Sequence, residues 1–346
     1  MHVGMDLGRN RMAVAVVTDG GVLVDEFSVR PDAPGLGGLV DRVGGGGGEP
    51  VLGVVESMSG ARFVYDFLVD AGWKMCMADA YRVKSIGSLA AKTDRIDAGV
   101  LAELSFRDLV PEVWIPPPEV REMRERARFR RHLVKHRTGL KNRIHAVLIA
   151  HGRPCPMSDL FGRAGRQTLD HLDFDEPWAD TVDTCLELIE DLNIQIKQLD
   201  VEIRQAGADR RDVQLLKTAP GVGDFLGYLI AAEIGDINRF ENPKKLVGYT
   251  GLAPRVHQSG ERDWRGPLAR NGPKHLRWAL IEAAIWAARH PPYAAHYQKT
   301  KQRLGAQKGN KVARVEVARK LTVAIYWMLT RNEQFNPGGP ARTLAA

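Results

Sequence analysis

The chain has 346 residues, of which 44% are hydrophobic and 26% are charged, and its formal net charge is +7. This composition indicates a globular protein of roughly two or three domains and excludes a disordered chain, and since no apolar run approaches about 20 residues we expect no contact with a membrane. Three scattered cysteines, Cys76, Cys155 and Cys185, exclude a disulfide framework and a cysteine-ligated zinc site, and the first residues lack the pattern of a signal peptide, so we expect a cytoplasmic protein.

The positive charge is concentrated in the second half of the chain. Residues 1–110 hold 11 basic and 15 acidic side chains, whereas residues 207–346 hold 23 basic and 11 acidic ones. Between these segments, residues 121–143 (REMRERARFRRHLVKHRTGLKNR) hold ten basic side chains and two acidic ones. A solvated helix face is the simpler explanation, but a cluster of this density is typical of a surface that binds the backbone of nucleic acids.

The first hundred residues alternate strands, turns and helices. Three strands are predicted in VGMDLG (3–8), RMAVAVVT (11–18) and GVLVDEFSV (21–29), with a hairpin turn at residues 19–21. A helix over 35–43 and the glycine run 44–48 precede the strand PVLGVVES (50–57), a helix over 61–72, the strand WKMCMADA (73–80) and a last helix within KTDRIDAGVLAEL (92–104). The order β-β-β-α-β-α-β-α predicts a mixed sheet with helices on both faces, the order of a ribonuclease H-like α/β fold.

Helices dominate the rest of the sequence, which we expect to be all-α. Three consecutive prolines (116–118) mark a boundary, and apolar residues later recur every three or four positions over three heptads, at Val182, Leu186, Ile189, Leu192, Ile196, Leu199 and Ile203. This stripe predicts an antiparallel hairpin or a coiled-coil seam, or equally a helix packed on its own chain. We therefore predict an α/β domain over 1–110, a basic-helix and coiled-coil connector over 111–206, a mainly helical domain over 207–335 and a tail over 336–346.

Four carboxylates are the candidate metal ligands of the first domain. Asp6 lies among apolar residues of the first strand, Glu56 ends the fourth strand, and Asp94 and Asp97 lie one turn apart on the last helix. Each alone is explained by a salt bridge or by a solvated helix start. In the predicted order the first and fourth strands are neighbours, so the four acids meet and their repulsion requires a divalent cation. Ligands that are all oxygen predict Mg²⁺ or Mn²⁺, which stabilises the attacking and leaving oxygens in phosphodiester chemistry.

A serine in a basic segment, which is rich in Gly and Arg and which we predict to be a loop, is the candidate nucleophile. In RVHQSGERDWRG (255–266), Ser259 precedes Gly260, and arginines nearby would neutralise the charge of a phosphate. The surrounding basic residues are Arg255, His257, Arg262 and Arg265. A turn formed by the Ser-Gly pair is the simpler explanation, and Thr250 is a less basic competitor.

A glycine turn and a set of basic residues are the candidate nucleic-acid contacts. TAPGVG (218–223), between two predicted helices, resembles a helix-hairpin-helix in which the backbone N–H groups of Gly221 and Gly223 hold a phosphate, although an ordinary turn is the alternative. The side chains predicted to contact nucleic acid are Arg121, Arg124, Arg128, Arg131, Lys135, Lys141, Arg255, Arg262, Arg265 and Lys274.

These motifs together resemble insertion-sequence transposases of the IS110 family, which join an N-terminal RuvC-like DEDD domain to a C-terminal transposase domain. GMDLG (4–8), VVES (54–57) and KTDRIDA (92–98) fall in the first domain. TAPGVG (218–223), FENPKKLVGYTGLAPRVHQSGE (240–261) and GPKHLRWALIEAA (272–284) fall in the second. The resemblance extends over nearly the whole chain.

The resemblance implies a function and a role for each candidate residue. It places the DEDD acids on Asp6, Glu56, Asp94 and Asp97 and the nucleophile on Ser259, in a composite site of both domains. It implies a bacterial, nucleoid-associated recombinase that cuts and rejoins donor and target DNA through a covalent serine–DNA intermediate, guided by an element-encoded non-coding (bridge) RNA. The apolar stripe would then hold a homo-oligomer together, a dimer or a tetramer. A Mg²⁺-dependent nuclease of the Holliday-junction-resolving type and a non-catalytic scaffold are the alternatives.

Overall fold

The structure, a computed structural model, describes residues 1–44, 50–86, 94–153, 157, 159–171, 174–259, 262–269 and 271–337. The chain divides into two compact units, Met1–Ile115 and Pro116–Ala346. Within the described residues, no helix is both long enough and apolar enough to cross a membrane. The predicted division of the second unit into a connector and a transposase domain stays a prediction, and most of the predicted tail lies outside the described residues.

The first unit is built on a five-stranded mixed sheet. Its elements are β1 (His2–Leu7), β2 (Met12–Val17), β3 (Leu23–Val29), α1 (Ala33–Gly44), β4 (Leu52–Glu56), α2 (Ala61–Asp70), β5 (Lys74–Ala78), α3 (Ala80–Ile86) and α4 (Asp94–Phe106). The strand order is β3-β2-β1-β4-β5. The pairs β1–β2 and β2–β3 are antiparallel, whereas β1–β4 and β4–β5 are parallel.

Helices cover both faces of this sheet. On one face, Val3 and Met5 of β1 share a buried cluster with Leu36 of α1 and Leu68 of α2. On the opposite face, small residues of β2 pack against α4 in a second cluster, and Val54 of β4 packs there with α3 and α4 in a third. Burial on both faces explains why β2 and β4 are continuous apolar runs.

The predicted mixed sheet with helices is confirmed, with one addition. All five strands and the helices α1, α2 and α4 lie on the segments for which they were predicted. The helix α3 was not predicted, because seven residues give less than two full turns of apolar periodicity.

The second unit is mainly helical, as expected. Its helices are α5 (Pro118–Ala150), α6 (Arg163–Asp170), α7 (Trp178–Ala208), α8 (Arg211–Lys217), α9 (Asp224–Ile234), α10 (Pro243–Tyr249), α11 (Lys274–Ala287), α12 (Tyr293–Leu304) and α13 (Ala306–Arg331). The strands β6 (Pro254–Ser259) and β7 (Arg262–Leu268) interrupt them. The helix α9 is the centre of the core, since its residues from 227 to 234 are all buried.

The long helices α5 and α7 form an antiparallel pair. Arg137 of α5 donates a hydrogen bond to Asn193 of α7, and nearer the start of α5, Arg130 donates two to Asp200. The apolar stripe of α7 is buried or half-buried at every one of its seven positions. Near the far end of the pair, stripe residues share a buried cluster with Ile144 of α5. The antiparallel hairpin of α5 and α7 therefore accounts for the apolar stripe. A contact of the stripe with a second protomer stays a prediction.

The segment around Ser259 is a β-ribbon, and the prediction of a loop there is wrong. The strands β6 and β7 are antiparallel, with Ser259 opposite Arg262. The stretches 255–258 and 262–265 each hold a single apolar residue, Val256 and Trp264, so they lack the alternation that is typical of a strand. The prediction missed the ribbon because a polar segment that contains glycines and many charged residues resembles a loop.

Candidate functional site

The acids of the first unit lie at one edge of its sheet. The strands β1 and β4 run parallel, and the last paired residues are Met5 and Val55. Asp6 and Glu56 are the next residue on each strand, and neighbouring strands lie about 4.8 Å apart. Both acids therefore stand at the carboxyl ends of adjacent strands, where the first and fourth strands were predicted to bring them.

Gly4 determines how α4 lies on the sheet. A Cβ atom on Gly4 would overlap the carbonyl oxygen of Ala98 and the amide nitrogen of Ala102, so the backbone of α4 lies directly on β1. Further along, Nδ1 of His2 lies 2.9 Å from Oγ of Ser105. Later residues of α4 thus lie beside earlier residues of β1, and the two elements are antiparallel.

The antiparallel direction of α4 carries its first turn to the same edge of the sheet. Ala98 packs with Ala13, which is the cross-strand partner of Asp6. Asp97 directly precedes Ala98 and is half-buried, as is Asp6. The structure thus brings Asp6, Glu56 and Asp97 to one edge, and α4 begins there at Asp94, whose side chain lies outside the described part of the chain.

The chemistry of this edge suits a hard cation, although the described side chains do not close a metal cage. Among them, no three Asp, Glu, His or Cys groups are gathered closely enough to hold a metal ion. The acids at the edge offer oxygen donors, which fit Mg²⁺ or Mn²⁺. Burial raises the pKa of Cys76, on β5, to about 12, so its side chain is a thiol at neutral pH.

The backbone of the second unit places Ser259 at the end of a strand. Ser259 is the last residue of β6 and faces Arg262, the first residue of β7, while Arg255 is exposed. The side chains of residues 256–265, which include those of His257, Ser259, Arg262 and Arg265, lie outside the described part of the chain. Thr250, the competing hydroxyl, is fully buried and donates a hydrogen bond to the carbonyl oxygen of Val247, so its role is structural.

The glycine turn between α8 and α9 packs against the core. Gly221 has a φ of 82°, and a Cβ there would overlap the carbonyl oxygen of Ala283 in α11. Gly223 precedes the first turn of α9, which carries Asp224. The Asp224 carboxylate lies 2.6 Å from Nζ of Lys217, which lowers the pKa of Asp224. Because a carboxylate stands at this helix N-terminus, the phosphate-binding role of both glycines stays a prediction.

Two of the α5 residues that were predicted to contact nucleic acid form hydrogen bonds within the protein instead. Arg124 donates hydrogen bonds to the carbonyl oxygens of Ala232 and Glu233, at 2.7 and 2.9 Å. Arg128 donates to both carboxylate oxygens of Glu233, at 2.7 and 2.8 Å, and Glu233 is fully buried. These guanidinium groups attach α5 to the end of α9. The sequence did not reveal this role, since the partners lie about a hundred residues further along the chain.

The other predicted contacts of α5 differ in their surroundings. Arg121 is half-buried in the first turn of α5. Nζ of Lys141 lies 4.5 Å from the centre of the Phe161 ring, and burial lowers the pKa of Lys141. Arg131 and the exposed Lys135 lie beside the exposed Lys274 of α11 in one groove. Arg128 lines the same groove, so the structure brings four of the predicted cations together.

Four aromatic and histidine residues of this groove were not singled out from the sequence. They are Phe129, His132, His275 and Trp278. Phe129 and His132 lie within the basic run RARFRRH (126–132), and an aromatic residue within a basic run is a signal for nucleic-acid binding that could have identified them.

Comparison with known families identifies the class of protein. A sequence model of a transposase domain of the DEDD type matches residues 3–151. The model described as "Transposase IS116/IS110/IS902 family" matches residues 213–299. The chain is therefore a DNA transposase, an enzyme of DNA recombination, and its DEDD domain is typical of enzymes that depend on a divalent metal.

Individual relatives agree with this class. The transposase of insertion sequence IS1111A from Coxiella burnetii is 26% identical over 296 residues, which are 82% of this chain and 79% of the relative. The pilin gene-inverting protein of Moraxella bovis is 29% identical over 262 residues, 73% of this chain and 70% of the relative. The putative transposase y4qE of Sinorhizobium fredii is 28% identical over 201 residues, 58% of this chain but 49% of the relative. The chain belongs to the IS110 family of insertion-sequence transposases, as its motifs indicated.

Proposed function

We propose that this transposase is an RNA-guided, Mg²⁺- or Mn²⁺-dependent DNA recombinase that cuts and rejoins strands through a covalent link to Ser259. The observation that carries the metal-dependent part is the meeting of three acid-bearing segments, the ends of β1 and β4 and the first turn of α4, at one edge of the sheet. The strand order β3-β2-β1-β4-β5 supports a ribonuclease H-like, RuvC-like fold for this unit.

The acids are proposed to act as ligands. Asp6, Glu56, Asp94 and Asp97 would hold the cation through oxygen atoms alone, and a cation bound there supplies positive charge to the oxygens of the scissile phosphate. The close contact of α4 with β1 at Gly4 is proposed to keep the first turn of the helix at the distance that shared ligation requires.

Ser259 is proposed to act as the nucleophile. Its Oγ attacks phosphorus, a bond from Oγ to phosphorus forms, and the bond from phosphorus to the leaving oxygen of the DNA strand breaks. The proton of Oγ passes to a base, for which His257 is our candidate, and the leaving oxygen takes up a proton. Arg255, Arg262 and Arg265 would neutralise the phosphate. Because the phosphodiester energy is kept in the serine link, a second strand can be joined without ATP.

A named relative supports rejoining over simple hydrolysis. Inversion of a gene, the action for which the pilin gene-inverting protein is named, requires that the cut strands be joined again. We propose the same capacity for this chain, on donor and target DNA, with an element-encoded RNA as the guide. We further propose that it works as a homo-oligomer, and that residues 111–206 form a connector between its catalytic domains.

The decisive experiment traps the serine link. Purified protein is incubated with labelled DNA that carries the element ends, the RNA transcribed from the element, and Mg²⁺, and is then denatured in detergent. We expect a protease-sensitive shift of the labelled DNA for the unaltered protein and for Ser28→Ala, an exposed serine on β3. Ser259→Ala should bind DNA and give no shift.

Each of the other outcomes contradicts a named part of the proposal. An adduct that persists in Ser259→Ala would refute the assignment of the nucleophile. Free 5′-phosphate ends without an adduct would favour a hydrolytic, junction-resolving nuclease. DNA that is unchanged by Mg²⁺ would favour a scaffold, and unaltered activity of Asp6→Asn would refute the proposed ligand role of that acid.

A further inference from the structure

A groove of about 830 Å³ lies between α5 and the start of α11, within the second unit. We call it the α5–α11 groove. One wall is a face of α5 from residue 125 to residue 138, and the other is formed by Lys274, His275 and Trp278. The groove is therefore built from two helices that pack on the same core and needs no part of the first unit.

The charge in the groove is positive. Lys135 and Lys274 are exposed on opposite walls, and Arg131, four residues before Lys135 on α5, lines the same space. Arg128 also lines the groove, but its charge is compensated by the buried carboxylate of Glu233. Since Glu125 is the single acid among the described lining residues, the groove suits a polyanion.

An exposed aromatic ring lies among these cations. The side chain of Phe129 is 48% exposed, although an apolar ring gains free energy from burial. Its neighbours in the sequence are basic, with Arg128 before it and Arg130 and Arg131 after it. A flat apolar ring within a cationic groove is the arrangement on which proteins stack unpaired nucleic-acid bases.

The second aromatic residue of the groove holds a cation in position. The guanidinium carbon of Arg131 lies 4.4 Å from the centre of the Trp278 ring, which attracts it through the face of the ring. One nitrogen of the same guanidinium lies 3.1 Å from Nδ1 of His275. Because a guanidinium has no acceptor atom, Nδ1 must accept this hydrogen bond, so His275 is neutral and carries its proton on Nε2.

We propose that the α5–α11 groove binds an unpaired segment of nucleic acid, with the backbone phosphates against Arg131, Lys135 and Lys274 and a base stacked on Phe129. The bases of a duplex are stacked on one another and offer no open face to Phe129, so the groove should prefer a single strand. This inference rests on the proposed function for its biological role, because a guided recombinase must hold unpaired loops.

Binding can be measured without catalysis, by fluorescence anisotropy of the full-length protein in EDTA. The probes are labelled 15-nucleotide single strands of RNA and of DNA of one sequence, and the DNA duplex of that sequence. Phe129→Ala should weaken single-strand binding roughly 5- to 150-fold, since stacking of one base contributes about 1–3 kcal/mol, and duplex binding less than about twofold. The matched control is Trp286→Ala, an aromatic residue of α11 that is 57% exposed and does not line the groove.

The phosphate contacts are tested by the salt dependence of binding. Lys135→Gln with Lys274→Gln should weaken single-strand binding and lower the slope of log affinity against log salt by about 1.4, since each phosphate contact to a single strand contributes about 0.7. The matched pair Lys299→Gln with Lys320→Gln, two exposed lysines on α12 and α13, should leave both unchanged.

The outcomes separate this inference from the proposed function. Equal losses for Phe129→Ala and Trp286→Ala, or equal losses on single strand and duplex, would overturn it, whereas tighter binding of RNA than of DNA would support it and identify the guide as the occupant. Ser259→Ala should bind single strands normally. If the groove variants behave as expected while no serine adduct forms, the groove stands and the catalytic proposal fails.

Discussion

Arg128→Met is expected to destabilise the second unit by about 3–5 kcal/mol, although Arg128 is partly exposed on the outside of α5. The carboxylate of Glu233 is fully buried, and Arg128 binds both its oxygens, at 2.7 and 2.8 Å. Removal of the guanidinium leaves a buried negative charge without its counter-ion, and penalties of this size are typical for such a loss.

A double-mutant cycle separates the pair from the two side chains. Arg128→Met with Glu233→Leu should recover most of the lost stability, because an apolar pair of similar volume avoids the penalty of burying charge. Urea unfolding followed by tryptophan fluorescence is the assay, since five of the seven tryptophans lie in residues 116–346. Lys135→Met, an exposed cation on the same helix, is the matched control and should change stability by less than about 0.5 kcal/mol.

The same variants test whether Arg128 has a role beyond the fold. Stability of Arg128→Met within about 1 kcal/mol of the unaltered protein would refute the argument from the buried pair. A double variant as unstable as the single one would refute it equally. If the double variant is stable but no longer binds nucleic acid, Arg128 is a contact residue as the sequence predicted.

Three further predictions follow from individual positions. Gly4→Ala should push α4 off β1, so we expect a loss of activity and a loss of about 3 kcal/mol or more in the free energy of unfolding in urea. Gly99→Ala, on α4 and with nothing within 4 Å of the added Cβ, should stabilise the protein by about 1 kcal/mol, and similar effects of the two variants would contradict the direct contact between α4 and β1. Gly221→Ala should cost about 1–3 kcal/mol because of its positive φ and its contact with α11, and an equal cost for Gly223→Ala, which is unobstructed, would contradict the packing role. Because burial lowers the pKa of His275 to about 4, the unfolded state binds more protons than the folded state between pH 6.5 and 4. When the pH falls from 7 to 5, the stability of the unaltered protein should therefore drop by up to about 2 kcal/mol more than that of His275→Asn, and urea midpoints that change in parallel for the two proteins would refute this.

The sheet was predictable because its signals are local. The apolar runs of β1, β2 and β4 are separated by Gly and Asp turns, so each strand could be located from its own residues. The β-ribbon β6–β7 was not predicted, since its strands are mostly polar and carry no alternation of apolar and polar residues.

The candidate sites were likewise predictable only where their signals are local in the sequence. Asp6 and Glu56 could be identified because a carboxylate within or at the end of an apolar strand is unusual in itself. The α5–α11 groove could not, because it exists only where Phe129 and His275 are brought together from positions about 150 residues apart. Arg128 misled for the same reason, since its charge was visible in the sequence and its buried partner Glu233 was not.

The α5–α7 pair also fixes a length. With 33 residues, α5 is about 50 Å long, and its two ends belong to different apolar clusters, with Met123 in the central core and Leu148 in a small one of its own. The α5–α7 pair therefore holds the small cluster at a fixed distance from the central core. Removing one heptad from α5 and one from the facing part of α7 would shorten the distance between the two clusters by about 10 Å and leave the packing at both ends unchanged. The distance between the clusters is therefore set by the number of helical turns, which evolution can change in steps of one heptad.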